Sequence, residues 1–309
     1  MSDEIILHHY PSSPFGEMVR RALGLKGLAW RSVEQPNMLP RPELMAMTGG
    51  YRRIPVLQSG ADIYCDSQMI LRALDALRPE TPLTPPGQEG VAWALRVWAE
   101  RPFFQACVGI IFGTLGEFVP KAFIADREQL SGRPFDIAAM QAVAPMLKDQ
   151  WRANALWIED QLRAGGPWLM GAKPGLADIA ASMPIWFLKT GLNAEFERLT
   201  SDMPHVRDWE DRIVAWGHGA ATPMSATEAL EIARAHEPRP APVEEVGEPQ
   251  AFGPGYRVSV MADDYGRDKI SGHVHYSTPQ EIAVLRTDTP CGRVCVHFPR
   301  AGFLVEVPS

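Results

Sequence analysis

The chain has 309 residues, enough for two or three domains, and its 46% hydrophobic and 22% charged residues are typical of a soluble globular protein. Its net charge of −7 does not indicate a basic surface for nucleic acid or an attraction to anionic lipid. Its apolar runs are too short for a membrane span. Four cysteines are too few for a disulfide framework, and the acidic N-terminus does not resemble a signal peptide, so we expect a cytoplasmic protein.

The first 80 residues have the pattern of an α/β domain. A short strand over residues 5–7 leads into a loop, where Ser13 followed by Pro14 provides a hydroxyl N-cap and a proline at the first helical position. The residues that follow carry apolar side chains at helical spacing. A second strand over residues 29–33 and a short helical or irregular segment over residues 40–47 complete the prediction for this part.

Residues 54–67 are the most informative stretch of the sequence. They predict a hairpin of two short strands, joined by a turn that contains glycine and followed by a helix. Because proline donates no ladder hydrogen bond, a strand that starts at Pro55 leaves the backbone of Ile54 free to face a ligand. Asp66 or Ser67 caps the helix, whose unpaired N–H groups form a ready anion site.

The rest of the chain is predicted to be helical and then rich in strands. Residues 79–89 and 238–255 are rich in proline and form linkers, and a long helix covers residues 136–164. Five short strands follow, over residues 256–261, 272–276, 281–286, 293–298 and 303–307. Their spacing predicts a small β sheet or barrel.

The strand-rich tail also holds histidines and cysteines that could share a face of the sheet. Alternate residues of a strand point the same way, so His273 with His275, and Cys295 with His297, could converge. Their spacing, together with Cys291, is not a common zinc pattern, and apolar residues alternate with them as in an ordinary half-buried sheet. We therefore expect no metal.

Two motifs resemble those of cytosolic glutathione transferases. The first is Ile-Pro-Val-Leu, a turn and then Tyr-Cys-Asp-Ser-x-x-Ile, over residues 54–70. The second is Pro-Gly-Leu-Ala-Asp over residues 174–178, similar to the family's helix-capping motif although Gly175 replaces its Ser or Thr. We expect Asp178 to have a structural role at that helix start. The resemblance covers roughly residues 4–236, and the tail lies outside it.

The resemblance implies a fold class of three parts. Residues 1–80 are expected to form an α/β thioredoxin-like domain that binds glutathione, and residues 88–237 an all-α helical domain that binds the second substrate. A Pro-rich linker over residues 238–255 then leads to a small all-β domain, residues 256–309, of unknown role. Membership of this family also implies a homodimer.

The resemblance gives roles to the residues of the hairpin. It implies that the backbone of Ile54, next to Pro55, pairs with the cysteinyl unit of glutathione. It also implies that Asp66 and Ser67 hold the γ-glutamyl group.

The three residues before the hairpin have more than one interpretation. Arg52 or Arg53 is a candidate for binding the glycyl carboxylate of glutathione, because a guanidinium matches a carboxylate bidentately. The alternative is a solvated arginine on a loop. Tyr51 either enters the neighbouring subunit, as an aromatic residue does in some transferase classes, or packs within its own chain.

Ser13 is the residue expected to activate the thiol. A thiol of pKa near 8.5 is only about 3% ionised at pH 7, and lowering its pKa by two units requires about 2.7 kcal/mol. A hydrogen bond to a charged group supplies roughly 1.5–3 kcal/mol and a helix N-terminus about 0.3–1, so one hydroxyl at that position suffices. Ser12, Tyr10 and Phe15 are second candidates for the site, and a purely capping role for Ser13 is the alternative.

The predicted function is therefore a glutathione transferase-like enzyme of detoxification. Glutathione serves as co-substrate, and its thiolate attacks an electrophilic small molecule. Serine at position 13 cannot form a mixed disulfide, which argues against glutaredoxin-like chemistry. A glutathione-dependent isomerase or dehalogenase on the same site is an alternative, as is a non-catalytic protein that binds glutathione or a partner.

Overall fold

The structure, a computed structural model, describes residues 4–242 and 251–307. Part of the predicted linker, residues 243–250, lies outside the described residues, as do the two chain ends. Among the helices that the structure describes, none combines the length and the apolar character needed to cross a lipid bilayer.

Ten strands of the described residues hydrogen-bond into one sheet. They are β1 (Ile6–His9), β2 (Ala29–Glu34), β3 (Val56–Ser59), β4 (Asp62–Cys65), β5 (Ala220–Pro223), β6 (Arg257–Ala262), β7 (Ile270–Ser277), β8 (Glu281–Thr289), β9 (Gly292–Pro299) and β10 (Phe303–Glu306). Their order across the sheet is β10-β6-β7-β8-β9-β4-β3-β1-β2-β5. The five strands β6 to β10 confirm the expected β region of the tail.

Eleven α-helices surround or follow this sheet in the described part of the chain. They are α1 (Pro14–Leu25), α2 (Pro42–Thr48), α3 (Ser67–Leu77), α4 (Glu89–Trp98), α5 (Phe104–Leu115), α6 (Lys121–Ser131), α7 (Ile137–Gly165), α8 (Leu176–Gly191), α9 (Asn193–Leu199), α10 (Pro204–Val214) and α11 (Ala226–Arg234). A π-helical turn, Ala99–Phe103, joins α4 to α5 and contains Pro102, whose missing N–H accounts for the irregular hydrogen bonding.

The first four strands and three helices form the expected thioredoxin-like α/β region. β1 pairs in parallel with β2 and antiparallel with β3, and β3 pairs antiparallel with β4. The apolar stripe of α1 packs on the sheet, where Val19 and Leu23 are fully buried. The element order and the pairing therefore confirm the predicted fold of this part.

The helical region has its own core, in which Trp151 of α7 and Trp209 of α10 are fully buried. Asp178 accepts hydrogen bonds from the backbone of Leu169 (2.9 Å), the backbone of Gly175 (3.0 Å) and the indole of Trp209 (2.9 Å). All three contacts are internal to the helical region. Asp178 therefore has the structural role at the start of α8 that its motif predicts.

The tail extends the α/β sheet instead of closing into a barrel. β9 pairs in parallel with β4, with His297 opposite Tyr64. Tyr51 is 3% exposed and packs against Phe298 (ring centroids 6.0 Å apart) and Phe303 (6.5 Å). Tyr51 therefore packs within its own chain, in a core that the tail shares with the α/β region.

Candidate functional site

Three of the predicted site segments meet at one edge of the sheet. Val56 at the start of β3 lies opposite His8 of β1 and opposite Cys65 at the end of β4. The C-terminal ends of β1 and β4 therefore flank the start of β3. This register brings together the loop before α1, the segment before β3 and the turn before α3.

Ser13 is the N-cap of α1. Its Oγ accepts a hydrogen bond from the backbone N–H of Gly16 at 3.0 Å, and the residue is 1% exposed. Within the described residues the hydroxyl proton of Ser13 has no acceptor, so it is available for another partner. Because the residue is almost fully buried, a thiol reaches this hydroxyl only if the surrounding loop shifts.

A buried ion pair, which sequence reasoning missed, holds the loop before α1. Arg20 donates to the carbonyl oxygen of Tyr10 at 3.1 Å and pairs with Glu17 at 2.7 Å. Burial raises the pKa of Glu17, but the hydrogen bond from His218 and the charges of the neighbouring arginines outweigh this effect and lower the pKa to about 2. The Glu-x-x-Arg spacing on one helix face is the signal that could have found this pair.

The second candidates around Ser13 differ in their surroundings. Ser12 is exposed, whereas Tyr10 and Phe15 are half-buried. The ring of Phe15 packs edge-on against Phe104 of α5, with centroids 5.1 Å apart. Phe15 therefore joins the α/β region to the helical region beside the loop.

The segment before β3 leaves its backbone outside the sheet. The peptide bond between Ile54 and Pro55 is cis, and pairing with β1 begins only at Val56. Ile54 is half-buried and Pro55 is buried. Ile54 thus lies at the shared edge, outside the hydrogen-bond ladder.

Asp66 and Ser67 form the turn that begins α3. Asp66 has a left-handed φ of 77° and accepts a hydrogen bond from the backbone of Gln68 at 2.9 Å. Ser67 is 4% exposed, and its Oγ accepts a hydrogen bond from Arg96 at 3.1 Å and lies 3.5 Å from a carboxylate oxygen of Glu100. The turn is therefore already part of a polar network.

Arg96 and Glu100 are site residues that sequence reasoning missed. The guanidinium of Arg96 lies 2.8 Å from Glu100 and 3.4 Å from Asp66. Burial raises the pKa of Glu100 to about 7, although the charge of Arg96 opposes the rise. The spacing of Arg96 and Glu100 on one helical turn was the signal that could have found them. Because the cluster holds both signs of charge, it suits the zwitterionic end of a ligand.

The two arginines before Ile54 both have carboxylate partners. Arg52 pairs with Asp126 of α6 at 2.8 Å. Arg53 pairs with Asp264, in the loop between β6 and β7, and its guanidinium lies 3.9 Å from the centre of the Tyr265 ring. Neither arginine is a solvated loop side chain.

A buried cluster joins β4 to β9. Ligand atoms of Asp62, Cys295 and His297 lie within 4.8 Å of one another. However, Nε2 of His297 lies 3.1 Å from Asp62 and Nδ1 lies 2.7 Å from Glu281, so both ring nitrogens already face carboxylates. Arg239 places a second cationic group 3.8 Å from Asp62. The arrangement is that of an imidazolium between two carboxylates, and a metal would have to displace the contact between His297 and Asp62.

The other histidines and cysteines of the tail lie apart from this cluster. His273 is exposed, and Nε2 of His275 hydrogen-bonds to the carbonyl oxygen of Arg239 at 3.0 Å. Cys291 lies 3.1 Å from the hydroxyl of Thr289. All four cysteines of the chain are buried free thiols.

A cleft of about 670 Å³ opens in the helical region, between α4 and α7. Its apolar walls include Val91, Leu95, Trp98, Trp157, Leu169 and Met170. None of the residues predicted to bind glutathione lines this cleft.

Comparison with known protein families gives two matches within the chain. Residues 7–82 match the model of the glutathione S-transferase N-terminal domain, and residues 138–212 match that of the glutathione S-transferase C-terminal domain. The first match contains the hairpin and the loop before α1, and the second contains the start of α8.

Three similar proteins illustrate the extent of the likeness. A solved GST-like protein from Pseudomonas syringae is 36% identical, with a TM-score of 0.82 and 100% of both chains covered, so the likeness includes the tail. FtsZ-localized protein A of Caulobacter vibrioides is 27% identical over 59% of this chain and 76% of that protein. Glutathione S-transferase U4 of Arabidopsis thaliana is 30% identical over 32% of this chain and 43% of the plant protein.

Proposed function

Because the chain belongs to the glutathione S-transferase family, we propose that it binds glutathione and activates the thiol for attack on an electrophilic small molecule. One observation carries this proposal. The turn of Asp66 and Ser67, with the charges of Arg96 and Glu100, lies at the same sheet edge as the cis proline segment and Ser13.

The polar cluster at the start of α3 has the groups needed to bind a γ-glutamyl end. The α-carboxylate of the bound γ-glutamyl group would accept hydrogen bonds from Arg96 and from the hydroxyl of Ser67. The α-ammonium of the same group would lie against the carboxylates of Asp66 and Glu100. The N-terminus of α3 adds a partial positive charge that favours the carboxylate.

The thiol step in this proposal needs one donor. With the γ-glutamyl end bound at α3 and the cysteinyl backbone paired to Ile54, the sulfur would lie towards the N-terminus of α1. The hydroxyl of Ser13 would then donate a hydrogen bond to the thiolate and keep its proton, since the Ser13 oxygen already accepts from Gly16. Stabilising the thiolate lowers the thiol pKa, and the thiolate is the species that attacks the electrophile.

Conjugation of glutathione to 1-chloro-2,4-dinitrobenzene tests this proposal. At pH 7 we expect Ser13→Ala to lower kcat roughly 20-fold, because the ionised fraction of the thiol falls from about 75% to about 3% when its pKa returns from 6.5 to 8.5. Ser12→Ala, which removes the exposed neighbouring hydroxyl, serves as the matched control and should keep the wild-type rate. Equal rates for wild type and Ser13→Ala would contradict the assignment of Ser13.

A non-catalytic glutathione-binding or partner-binding protein is the second candidate function. The burial of Ser13 favours it, as does the occupation of Arg53 by a carboxylate of the chain itself. The name of the relative FtsZ-localized protein A describes a location and not a reaction. This candidate predicts saturable glutathione binding without conjugation of any electrophile.

Family membership also supports a cytoplasmic homodimer with a role in detoxification. Sedimentation velocity at micromolar concentration tests the dimer, whose expected mass is twice 34.2 kDa. A single species of monomer mass would contradict it.

A further inference from the structure

The loop between β6 and β7, residues 263–269, reaches from the tail to the segment before β3. Asp264 pairs with Arg53, whose side chain is only 11% exposed, and the Tyr265 ring lies against the same guanidinium. The backbone N–H of Gly266 donates to the carbonyl oxygen of Leu130 in α6 at 2.7 Å. On the other side of Asp264, the backbone N–H of Asp263 donates to the carbonyl oxygen of Gly302 at 3.0 Å, so the loop is anchored on both sides of this carboxylate.

The same loop also borders the cluster at the start of α3. Burial raises the pKa of Tyr265; the charge of Arg53 lowers it, and the carboxylates of Asp264, Asp66 and Glu100 raise it further. Tyr265 is thus a neutral phenol whose ring lies against the guanidinium of Arg53. The tail therefore contributes two side chains, Asp264 and Tyr265, that contact Arg53 beside the predicted site.

Asp264 pairs with one of the two arginines that are candidates for binding the glycyl carboxylate of glutathione. Arg53 directly precedes Ile54, so it is the cation next to the backbone that would hold the cysteinyl unit. Arg101, a further cation beside the loop, lies 3.6 Å from Asp263 and 4.0 Å from Asp264. Asp264 therefore already balances the charge of Arg53, and a ligand carboxylate at that guanidinium would add an uncompensated charge.

We propose that Asp264 takes the place of the ligand's glycyl carboxylate at Arg53, so that the site selects γ-glutamyl thiols without requiring a charged C-terminus. This inference rests on the proposed function, because it concerns the thiol that the same site binds. Asp264 and Tyr265 are then specificity-determining residues supplied by the tail. The ligand class is a γ-glutamylcysteinyl thiol whose C-terminal end is uncharged or is left unrecognised.

Calorimetric titration with glutathione and with its glycyl monoethyl ester tests this inference. For the wild type we expect the two dissociation constants to agree within about threefold. Asp264→Asn keeps an acceptor for the backbone N–H of Tyr265 but removes the charge, so glutathione should then bind about tenfold more tightly, with no change for the ester. Asp263→Asn is the matched control, because it removes a charge from the same loop without contact to Arg53, and both affinities should stay unchanged.

The other outcomes separate this inference from the proposed function. A wild-type preference for glutathione of tenfold or more over the ester would overturn the inference and leave the proposed function standing. If glutathione bound to Asp264→Asn and not to the wild type, the inference would also be overturned. Asp264 would then block the site and would not select among thiols. If neither ligand binds wild type or variant, both the proposed function and the inference fail. Thermal melting of each variant confirms that it is folded.

Discussion

At the scale of single residues, Ser13 combines two roles that alanine substitution alone cannot separate. As the N-cap of α1 it accepts a hydrogen bond from Gly16, and as the proposed thiol donor it uses its hydroxyl proton. Alanine removes both functions. Aspartate retains an acceptor oxygen for the cap but has no proton to give to a thiolate.

We expect Ser13→Ala to lower the free energy of unfolding by about 1 kcal/mol, the usual cost of a lost N-cap, and Ser13→Asp to recover most of it. Both variants should nevertheless be poor in conjugation, because neither donates a hydrogen bond to the thiolate and the aspartate charge also repels it. Urea unfolding and conjugation rates, measured on the same preparations, test the two parts. Wild-type activity in Ser13→Asp would show that the side chain acts only through the cap.

Glu100 predicts a pH dependence of binding. Its pKa of about 7 means that it is mostly protonated at pH 6 and mostly ionised at pH 8. A bound α-ammonium favours the ionised carboxylate, so binding releases a proton and affinity should rise about tenfold from pH 6 to pH 8. S-methylglutathione is the suitable ligand, because it has no thiol that ionises over this range.

The variant Glu100→Gln provides the control for that measurement. Removing the titrating group should flatten the pH profile while the glutamine retains the shape of the side chain. A rise of the same size in Glu100→Gln would assign the pH dependence to another group and contradict the proposed place of the ammonium.

At the scale of elements, the contact between β4 and β9 depends on His297. Burial lowers the pKa of His297, but Cys295, Tyr64 and the hydrogen bond with Asp62 raise it well above its ordinary value. The folded state holds the His297 proton more tightly than the unfolded state does. The contribution of protonated His297 to stability is therefore complete below the ordinary histidine pKa of about 6.5. That contribution is lost as the pH rises through the raised value.

His297→Gln should therefore reduce the free energy of unfolding by about 3 kcal/mol at pH 6.5, since it leaves the buried carboxylate of Asp62 and the half-buried carboxylate of Glu281 without the imidazolium between them. The difference from wild type should shrink as the pH rises towards 10. Urea unfolding from pH 6.5 to pH 10 measures this difference. In the folded protein His8 and His9 do not titrate over this range, because burial lowers their pKa values to about 4. His273→Gln, on an exposed position of β7, should change little; a constant difference for His297→Gln would contradict the account.

Individual helices and strands could be predicted from the sequence better than the elements with which they pair in space. The periodicity of α7 and the alternation in the tail depend on residues close in the chain, so the helix at 136–164 and all five tail strands were found. β5 was missed, because its four residues are exposed and carry no apolar pattern. The pairing of β9 with β4 joins segments more than 200 residues apart, and no local pattern specifies such a partner.

At the scale of the whole molecule, the tail covers a strand that would otherwise be an edge. Ile63 and Cys65 of β4 are fully buried in a core that also contains Val296 and Phe298 of β9. Removal of the tail would expose this apolar surface together with the free hydrogen-bonding groups of β4. An exposed edge of this kind promotes aggregation.

We therefore expect a chain that ends at residue 237 to melt at least roughly 10 °C below the full-length protein, or to aggregate. Thermal unfolding followed by circular dichroism and size-exclusion chromatography measure the two outcomes. A monodisperse truncated protein with the melting temperature of the full chain would show that the tail is a separate unit, as the predicted domain boundary at residue 256 implies.

The candidate site was predictable only where it depends on local motifs. The hairpin and the two helix caps are short-range features, so Ser13 and the turn of Asp66 and Ser67 could be identified. The partners of Arg53 could not, because Asp264 follows it by 211 residues. Sequence alone identifies groups that can bind an anion, whereas the fold decides whether the chain itself already occupies them.

The most direct test of the central claim is an ultraviolet titration of the glutathione thiolate bound to the purified protein. We expect a bound thiol pKa near 6.5 in the wild type and in Ser12→Ala, and a return to about 8.5 in Ser13→Ala. Saturable binding with a thiol pKa near 8.5 in the wild type would contradict thiol activation by Ser13 and favour the non-catalytic candidate.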